Sequence, residues 1–268
     1  MPSDRIRKTW QGKWALVTGA SAGIGEAIAM ELGRAGAHLI LTARRRERLA
    51  TLAARLESEF GVETRVVVAD LAQREAARQI FDITEGAGIA VDLLVNNAGF
   101  GLYDEFLRGD LDRQLEMVEV NCTAVVHLTR LFLPRMVERK RGDIMIVSSM
   151  ASFQPVAYLA TYAATKGFDR LLAEALAEEV NRYGIRVSAL CPGSTESEFS
   201  DVAGGRVHKS KKQSAEEVAR AGLEGLTEGR PWVIPFSAGR FQVFAQRLAP
   251  RRLVNRVVAR MFRPPTDR

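Results

Sequence analysis

Short apolar runs alternate with longer helical patterns along most of the chain, and this alternation restricts the fold more than any other feature. Each run is rich in β-branched or other apolar residues; the six are WALVT (14–18), HLILTA (38–43), TRVVVAD (64–70), DLLVNNAG (92–99), GDIMIVSS (142–149) and IRVSALCPG (185–193). Near-continuous apolar strands separated by helices form βαβ units, in which a parallel sheet is covered on both faces. The sequence therefore predicts an α/β fold with a doubly wound parallel sheet, whose ligand crevice lies at the carboxyl ends of the strands.

The length and the charge distribution indicate one large domain with a basic appendage. At 268 residues and 47% hydrophobic content, the chain can bury a full core. Its net charge is +6, but the segment 240–268 holds eight arginines and one acid, so the other 239 residues carry −1. This localisation argues against a nucleic-acid surface on the domain. We expect one main domain at 1–237 and a C-terminal extension at 238–268.

Three further features limit the class of protein. No apolar run approaches the roughly 18 residues that span a bilayer, and the basic N-terminus is not followed by the apolar segment of a secretory signal. Cys122 and Cys191 lie far apart in sequence, and neither has a metal-ligating neighbour. We therefore expect a cytoplasmic protein without a disulfide or a metal site.

The first apolar run leads directly into TGASAGIG (18–25). Gly19, Gly23 and Gly25 fall between a predicted strand and a predicted helix. Glycines in this context allow a tight turn and let backbone N–H groups approach a pyrophosphate at the positive end of the helix. An ordinary glycine-rich turn is the alternative, but the position favours a dinucleotide site.

Four more motifs follow in order, namely NNAG (96–99), Ser149, YAATK (162–166) and CPG (191–193). Together with TGASAGIG they resemble the short-chain dehydrogenase/reductase family, from about Lys13 to Phe199. The resemblance implies a Rossmann-like domain, a nicotinamide cofactor and the interconversion of a carbonyl group and an alcohol. It also implies a homodimer or homotetramer, formed through the two long helices around Asn121 and Tyr162.

The family pattern assigns cofactor contacts residue by residue. The residues implied are Gly19, Ser21, Gly23, Ile24, Gly25, Asp70, Asn97, Tyr162, Lys166, Pro192, Gly193 and Thr195. Asp70 resembles an adenine-binding aspartate, although it could also cap the following helix. Asn97 resembles the residue that supports the adenosine side.

The end of the second strand predicts which nicotinamide cofactor is used. An acid here would accept the 2′-hydroxyl of an NAD ribose, but this chain has Ala43 followed by Arg44 and Arg45. A guanidinium fork suits a 2′-phosphate. We therefore expect NADP(H) to be preferred over NAD(H), with Arg44 as a ligand, while a solvated run of charges remains the alternative.

Tyr162 and Lys166 are spaced i and i+4, so they share one face of a helix. A free tyrosine has a pKa of about 10, and bringing it near 7 takes roughly 4 kcal/mol of preferential phenolate stabilisation. A nearby ammonium, together with an oxidised nicotinamide, could supply this. By resemblance, Tyr162 exchanges a proton with the substrate oxygen and Lys166 also holds the nicotinamide ribose.

Two more catalytic residues are implied by the resemblance. Ser149 would donate a hydrogen bond to the substrate oxygen; Ser148 competes for this role, but the spacing of thirteen residues to Tyr162 favours Ser149. Asn121 matches the family asparagine that helps to hold a water-linked proton path.

The remaining features concern the substrate. The family closes its cleft with a variable region, which places a lid at about 198–229. Phe100, Phe153 and Pro155 could form apolar walls, and we expect a hydrophobic small-molecule ketone or alcohol, 3-oxoacyl or steroid-like.

The C-terminal extension contains an apolar helical stripe with arginines opposite. The stripe consists of Leu253, Val254, Val257, Val258, Met261 and Phe262. It could dock on its own domain, contact another subunit or lie on an anionic membrane surface. Protein packing is favoured, and peripheral membrane contact stays open.

Two other functions remain as alternatives. A cofactor-binding sensor or scaffold on the same fold would bind NADP(H) with little turnover. An epimerase or dehydratase would form product without net cofactor oxidation, but the chain lacks an obvious additional substrate domain.

Overall fold

The structure, a computed structural model, describes residues 3–199, 203 and 212–263, and it contains one seven-stranded parallel sheet. The strands are β1 (Trp14–Thr18), β2 (His38–Ala43), β3 (Thr64–Val68), β4 (Val91–Asn96), β5 (Gly142–Val147), β6 (Ile185–Leu190) and β7 (Trp232–Val233). Their spatial order is β3-β2-β1-β4-β5-β6-β7. The predicted doubly wound sheet is confirmed, with the strand order reversing between β1 and β4, where such folds bind ligands.

Helices cover both faces of this sheet. They are α1 (Asp4–Trp10), α2 (Gly23–Arg34), α3 (Arg46–Phe60), α4 (Ala76–Asp82), α5 (Leu111–Val118), α6 (Ala124–Arg139), α7 (Ala160–Val180), α8 (Ala215–Thr227), α9 (Ser237–Leu248) and α10 (Arg251–Met261). A π-helical segment, Glu119–Thr123, joins α5 to α6. Helical structure is thus continuous from Leu111 to Arg139, but it is not one regular α-helix.

Adjacent residues of each strand enter two different cores. On β1, Ala15 and Val17 pack with helices α2, α3 and α8, while Leu16 packs with α4, α6 and α7 on the opposite face. Successive side chains of a strand point to opposite faces. A strand buried on both sides must therefore be apolar at nearly every position, which is why the runs in the sequence are continuous rather than alternating.

The N-terminal helix α1 was not anticipated from the sequence. It fully buries Ile6 and Trp10. The indole Nε1 of Trp10 donates to Oδ2 of Asp143 on β5 at 2.8 Å, and Arg186 on β6 contacts the same carboxylate through two nitrogens. One buried hydrogen-bonded cluster therefore links α1 to the two strands.

The predicted lid at about 198–229 contains two kinds of segment. Residues 200–202 and 204–211 lie outside the described residues. Helix α8 belongs to the core, because its Val218, Leu223 and Leu226 have no exposed surface and it packs along α2. For α8 the lid prediction is therefore corrected, since this helix covers the sheet; for residues 198–214 it stays a prediction.

The C-terminal extension forms helices α9 and α10, and α10 docks on its own domain. Val258 is 5% exposed and packs with Val156, Leu159 and Ala163, as Val254 and Phe262 also do. The other half of the predicted stripe, Leu253, Val257 and Met261, is exposed. None of the described helices combines the length and the apolar content that crossing a bilayer requires.

Candidate active site

The glycine-rich turn after β1 is held in shape by Asn97. The amide Nδ2 of Asn97 donates to the carbonyl oxygen of Thr18 at 2.8 Å and to that of Gly19 at 3.3 Å. A Cβ atom on Gly25 would lie 2.4 Å from both Asn97 Nδ2 and the oxygen of Gly19, and Gly19 has a φ of +64°. Larger residues would therefore displace the turn, so these glycines form a close backbone crossing at the start of α2.

An anion site lies beside this turn. Nε and Nη2 of Arg45 donate to the hydroxyl of Ser21 at 3.1 and 2.9 Å, while Nη1 contacts Glu198 at 2.7 Å. Arg48 contacts the other oxygen of Glu198 at 2.6 Å. These hydrogen bonds lower the pKa of the Glu198 carboxyl. A carboxylate from the chain itself thus sits in a two-arginine fork next to the glycine-rich turn.

Arg44 lies apart from that fork. Its Nη1 is 3.4 Å from Oε1 of Glu116, and its side chain is largely exposed. The sequence singled out Arg44, but the arginine that contacts the turn is Arg45. Arg48 and Glu198 were not identified at all, because only the folded chain brings 198 beside the start of α3.

The remaining predicted cofactor residues also lie at the carboxyl edge of the sheet. Asp70 follows β3 and accepts from the backbone N–H of Ala72 at 3.1 Å; this bond closes a local turn and does not cap the following helix, which begins only at Ala76. Pro192 and Gly193 follow β6, where the carbonyl oxygen of Pro192 accepts from Met150 N–H at 2.9 Å. Three other predicted positions belong to the same edge, namely Ile24 at the start of α2, Gly23 beside Ser197, and Thr195 bridged to Gln213.

The two candidate serines after β5 have different surroundings. Ser148 is buried, and its hydroxyl donates to the backbone oxygen of Lys166 at 2.7 Å, which is a structural role. Ser149 precedes a short 3₁₀ turn, where its hydroxyl accepts from Ala151 N–H at 3.1 Å and lies near enough to the Tyr162 phenol to lower the pKa of that phenol. The geometry therefore brings Ser149, and not Ser148, to the tyrosine.

Asn121 lies in the π-helical segment and is completely buried. Its Nδ2 donates to the carbonyl oxygen of Phe100 and to the hydroxyl of Thr165, both at 3.0 Å, while its Oδ1 accepts from Phe100 N–H at 3.1 Å. A Cβ atom on Gly99 would lie 2.9 Å from Asn121 Oδ1 and 3.4 Å from Lys166 Nζ. Asn121 thus fixes the NNAG segment against α7 beside the lysine.

Lys166 is buried and held by two acceptors. Its Nζ donates to the carbonyl oxygen of Val147 and to Oδ2 of Asp169, each at 2.8 Å. Burial lowers the pKa of Lys166, but the charges of Asp169 and Tyr162 outweigh it, so the pKa is raised. The ammonium is therefore retained in the site. Asp169 was not identified in the sequence.

The pKa of Tyr162 differs from the simplest expectation. Burial raises this pKa, Lys166 and the Ser149 hydroxyl lower it, and burial outweighs them, so the pKa of Tyr162 is raised from its ordinary value. Lys166 lies near the phenol, as predicted, but its ammonium also forms an ion pair with Asp169. The lysine alone therefore does not make the phenol acidic in this state.

The tyrosine ring is enclosed by apolar groups. Phe199 lies against it with ring centroids 5.1 Å apart, and helix α10 packs beside it through Val258 and Val254. Phe100 is buried with Met117 and Val120 next to Tyr162. Phe153, a predicted wall residue, instead packs on Trp232, because its side chain points toward the core of the sheet.

The residues present fit a dinucleotide cofactor. The glycine-rich turn brings the backbone close to the start of α2 with no side chain between them. Beside it, Arg45 and Arg48 bind the carboxylate of Glu198. The Tyr162–Ser149–Lys166 cluster lies at the same edge of the sheet. The arrangement combines an anion-binding turn with a hydroxyl pair that can exchange a proton.

Comparison with known proteins agrees with this geometry. The family described as short chain dehydrogenase matches residues 13–204. A very-long-chain 3-oxoacyl-CoA reductase from Anas platyrhynchos is 35% identical over 226 residues, which are 81% of this chain and 72% of that protein.

Two solved structures are also similar. One is a short-chain dehydrogenase from Sphingobium yanoikuyae in complex with NADPH, with a TM-score of 0.81 and 30% identity, covering 88% of this chain and 93% of that one. The other is a bulky-bulky ketone specific alcohol dehydrogenase from Comamonas testosteroni, with a TM-score of 0.76 and 29% identity, covering 88% and 92%.

Proposed function

Because the chain belongs to the short-chain dehydrogenase family, we propose that the cluster around Tyr162 is its catalytic centre. The protein is an oxidoreductase that interconverts a ketone or 3-oxo group and a secondary alcohol on a hydrophobic substrate, with a nicotinamide cofactor. One observation carries the assignment to these residues. A half-buried phenol lies beside the Ser149 hydroxyl and within the field of the buried Lys166 ammonium.

The side chains divide the proton chemistry among themselves. In the reducing direction the Tyr162 phenol donates its proton to the substrate oxygen, and in the oxidising direction the phenolate removes it. The Ser149 hydroxyl donates a hydrogen bond to the same oxygen. The Lys166 ammonium stabilises the phenolate, and Asn121 holds the adjoining backbone in place. When bound, the cofactor supplies or accepts the hydride.

The cofactor would be held along the carboxyl edge of the sheet. The turn at Gly19, Ser21, Gly23 and Gly25 would receive the pyrophosphate, and Asp70 and Asn97 would lie on the adenosine side. Lys166 would hold the nicotinamide ribose. The residues after β6, Pro192, Gly193 and Thr195, would flank the nicotinamide.

We assign the preference for NADP(H) to the arginines at the start of α3. The Arg45–Arg48 fork holds the Glu198 carboxylate beside Ser21, and a 2′-phosphate would compete for the same nitrogens. Arg44, one residue from the fork, adds positive charge. Guanidinium groups bind phosphate in the same bidentate geometry.

The substrate that fits best is a 3-oxoacyl compound with a long apolar chain. Tyr162 is surrounded by Phe199, Phe100 and the inward face of α10, all of them apolar. The relative from Anas platyrhynchos is named for very-long-chain 3-oxoacyl-CoA, and the similar structure from Comamonas testosteroni is named for bulky ketones. A steroid-like ketone is the second candidate, because it offers a similar apolar bulk.

Exchange of Tyr162 for phenylalanine tests the central assignment. NADPH oxidation would be followed with 3-oxoacyl-CoA substrates of increasing length and with bulky apolar ketones. Loss of the proton donor should lower kcat by about 10²- to 10⁴-fold, while NADPH binding, measured by cofactor fluorescence, stays close to the unmodified value. Tyr183→Phe, at an exposed tyrosine beyond the other end of α7, is the matched control.

The same assay separates the alternatives. NADPH binding without turnover across the whole panel would favour a sensor or scaffold. Product formed without net cofactor oxidation would favour an epimerase or dehydratase. Unchanged turnover in Tyr162→Phe would refute the catalytic assignment.

Two surfaces support proposals about assembly. Helices α5 to α7 expose apolar side chains near the site; these are Leu111, Leu115, Val118, Val126, Phe168 and Leu171. We assign this face to a homodimer or homotetramer, since exposed apolar patches mark association sites. The outer face of α9 and α10 combines exposed Phe241, Phe244 and Leu248 with arginines, which suits peripheral contact with an anionic membrane.

A further inference from the structure

The carboxylate of Asp169 lies against the lysine of the candidate site. Its Oδ2 is 2.8 Å from Lys166 Nζ, and both side chains are buried. Asp169 is three residues after Lys166 on α7, so the two share one helix face. The carbonyl oxygen of Val147 on β5 accepts from the same ammonium. Acceptors on two different elements therefore fix the position of the ammonium.

Burying this carboxylate is unfavourable in free energy, because the charge loses its hydration. Asp169 has no exposed surface, and its Oδ1 has no hydrogen-bond donor among the residues that the structure describes. Replacing a buried ion pair by apolar side chains is often neutral or stabilising, so such a pair is weak evidence of a purely structural role. The location of Asp169, one side chain away from the candidate catalytic tyrosine, points to a role in the reaction.

We propose that Asp169 is a positioning residue which, as the counter-ion of Lys166, holds the ammonium in place and limits its pull on the Tyr162 phenolate. The ion pair thereby sets the pH range in which the tyrosine exchanges its proton. This inference rests on the proposed function of Tyr162 and goes beyond it, because it explains what limits the lowering of the Tyr162 pKa by Lys166.

The charges around the tyrosine are consistent with this role. Lys166 lowers the pKa of Tyr162, whereas Asp169 raises it. Two cysteines also face the pair, Cys122 from the π-helical segment and Cys191 after β6. Burial raises the pKa of each thiol to about 12, so both stay neutral near physiological pH. Burial raises the pKa of the Asp169 carboxyl, and the charge and hydrogen bond of Lys166, 2.8 Å away, oppose that rise.

The test is a titration of Tyr162 that does not depend on turnover. Phenolate absorbance would be followed against pH for Asp169→Asn with its cofactor bound, and the same titration with Tyr162→Phe added would be subtracted. The amide oxygen still accepts from Lys166, while the negative charge is gone. Removing that charge favours the phenolate, so the apparent pKa of Tyr162 should fall by about one unit. The pH profile of alcohol oxidation should move to lower pH by the same amount.

Asp143→Asn is the matched control. Asp143 is also buried and paired with an arginine, but it lies in the cluster with Trp10 and Arg186. Its substitution should lower the melting temperature and leave the Tyr162 titration unchanged. Asp169→Glu keeps the charge and should restore a titration close to that of the unmodified protein.

A second variant keeps the proposal testable if Asp169→Asn does not fold. Asp169→Ser removes the same charge with a smaller side chain, and the same shift is expected. An unchanged or raised pKa of Tyr162 in either neutral variant would overturn the proposal. If the titration shifts as expected but neither the unmodified protein nor the variant turns over any substrate, the proposed function is overturned instead.

Discussion

The phenol of Tyr162 is subject to opposing influences that the sequence shows only in part. The i, i+4 spacing correctly brings Lys166 to the same helix face. Burial nevertheless raises the pKa of the phenol more than the lysine lowers it. Asp169, whose position three residues after Lys166 did not stand out in the sequence, raises this pKa further. A positively charged nicotinamide beside the phenol would further favour the phenolate.

Arg45 provides a test of cofactor preference at a single side chain. Arg45→Ala removes a guanidinium that contacts both Ser21 and Glu198. We expect NADPH binding to weaken about tenfold, since a charge-assisted hydrogen bond contributes about 1.5–3 kcal/mol and 1.4 kcal/mol is a factor of ten. NADH binding should change little, because it lacks the 2′-phosphate. Isothermal titration with both cofactors measures the ratio.

Arg46→Ala is the control for that experiment, since Arg46 is an exposed arginine on the same turn of α3. Glu198→Gln should strengthen NADPH binding, because the fork would lose the carboxylate that competes for it. An equal loss of affinity for NADH and NADPH in Arg45→Ala would contradict the phosphate assignment and indicate a general role in shaping the turn.

Helix α10 shows how an amphipathic element divides its apolar residues. Val254, Val258 and Phe262 recur every four residues and pack beside Tyr162, while Leu253, Val257 and Met261 stay exposed. The hydroxyl of Tyr103 donates to the carbonyl oxygen of Phe262 at 2.7 Å and closes the end of the helix. A helix from the C-terminal extension therefore contributes to the wall around the candidate site.

Adjacent valines on α10 allow a matched test of this wall. Val258→Asp would place a carboxylate in an apolar cluster, whereas Val257→Asp would place it in solvent. We expect Val258→Asp to release α10, so that trypsin cleaves more rapidly at Arg251, Arg252 and Arg256. Its kcat/KM for bulky ketones should fall as the site loses its wall. Equal cleavage rates in the two variants would contradict the docked arrangement.

The sequence predicted best those elements in which consecutive residues are all buried. Strands β1 and β2 match the predicted bounds, and the other four predicted runs also contain a strand, because a strand buried on both faces is apolar throughout. Strand β7 has two residues, too few for any pattern. The π-helical segment at Glu119–Thr123 differs from its flanking helices by its hydrogen bonds, which apolar periodicity does not reveal.

Across the whole molecule, the exposed apolar side chains of the helices form two surfaces, and one of them is also rich in arginine. The exposed apolar side chains of α5 to α7 belong to the same part of the chain as the candidate catalytic residues, whereas those of α9 and α10 lie among arginines. Net charge and its distribution were readable from the sequence. The sequence does not show which apolar side chains of an amphipathic helix are exposed, because this depends on which of them pack against the folded domain.

These two surfaces can be separated by reciprocal substitutions. Leu115→Glu with Leu171→Glu places charges on α5 and α7, whereas Phe244→Glu with Leu248→Glu places them on α9. All four side chains are more than half exposed, so the fold should tolerate the changes. We expect light scattering to show subunit dissociation for the first pair only, because carboxylates in an apolar interface are desolvated without a partner.

Membrane contact should respond in the opposite way. Cosedimentation with vesicles of phosphatidylserine and phosphatidylcholine should fall sharply for the α9 pair and stay unchanged for the first pair, since apolar insertion and arginine charge act together on an anionic surface. Vesicles of phosphatidylcholine alone should bind both proteins weakly. If the α9 pair dissociates the oligomer and leaves vesicle binding intact, the assignments of the two surfaces are reversed, and the C-terminal helices form the subunit contact.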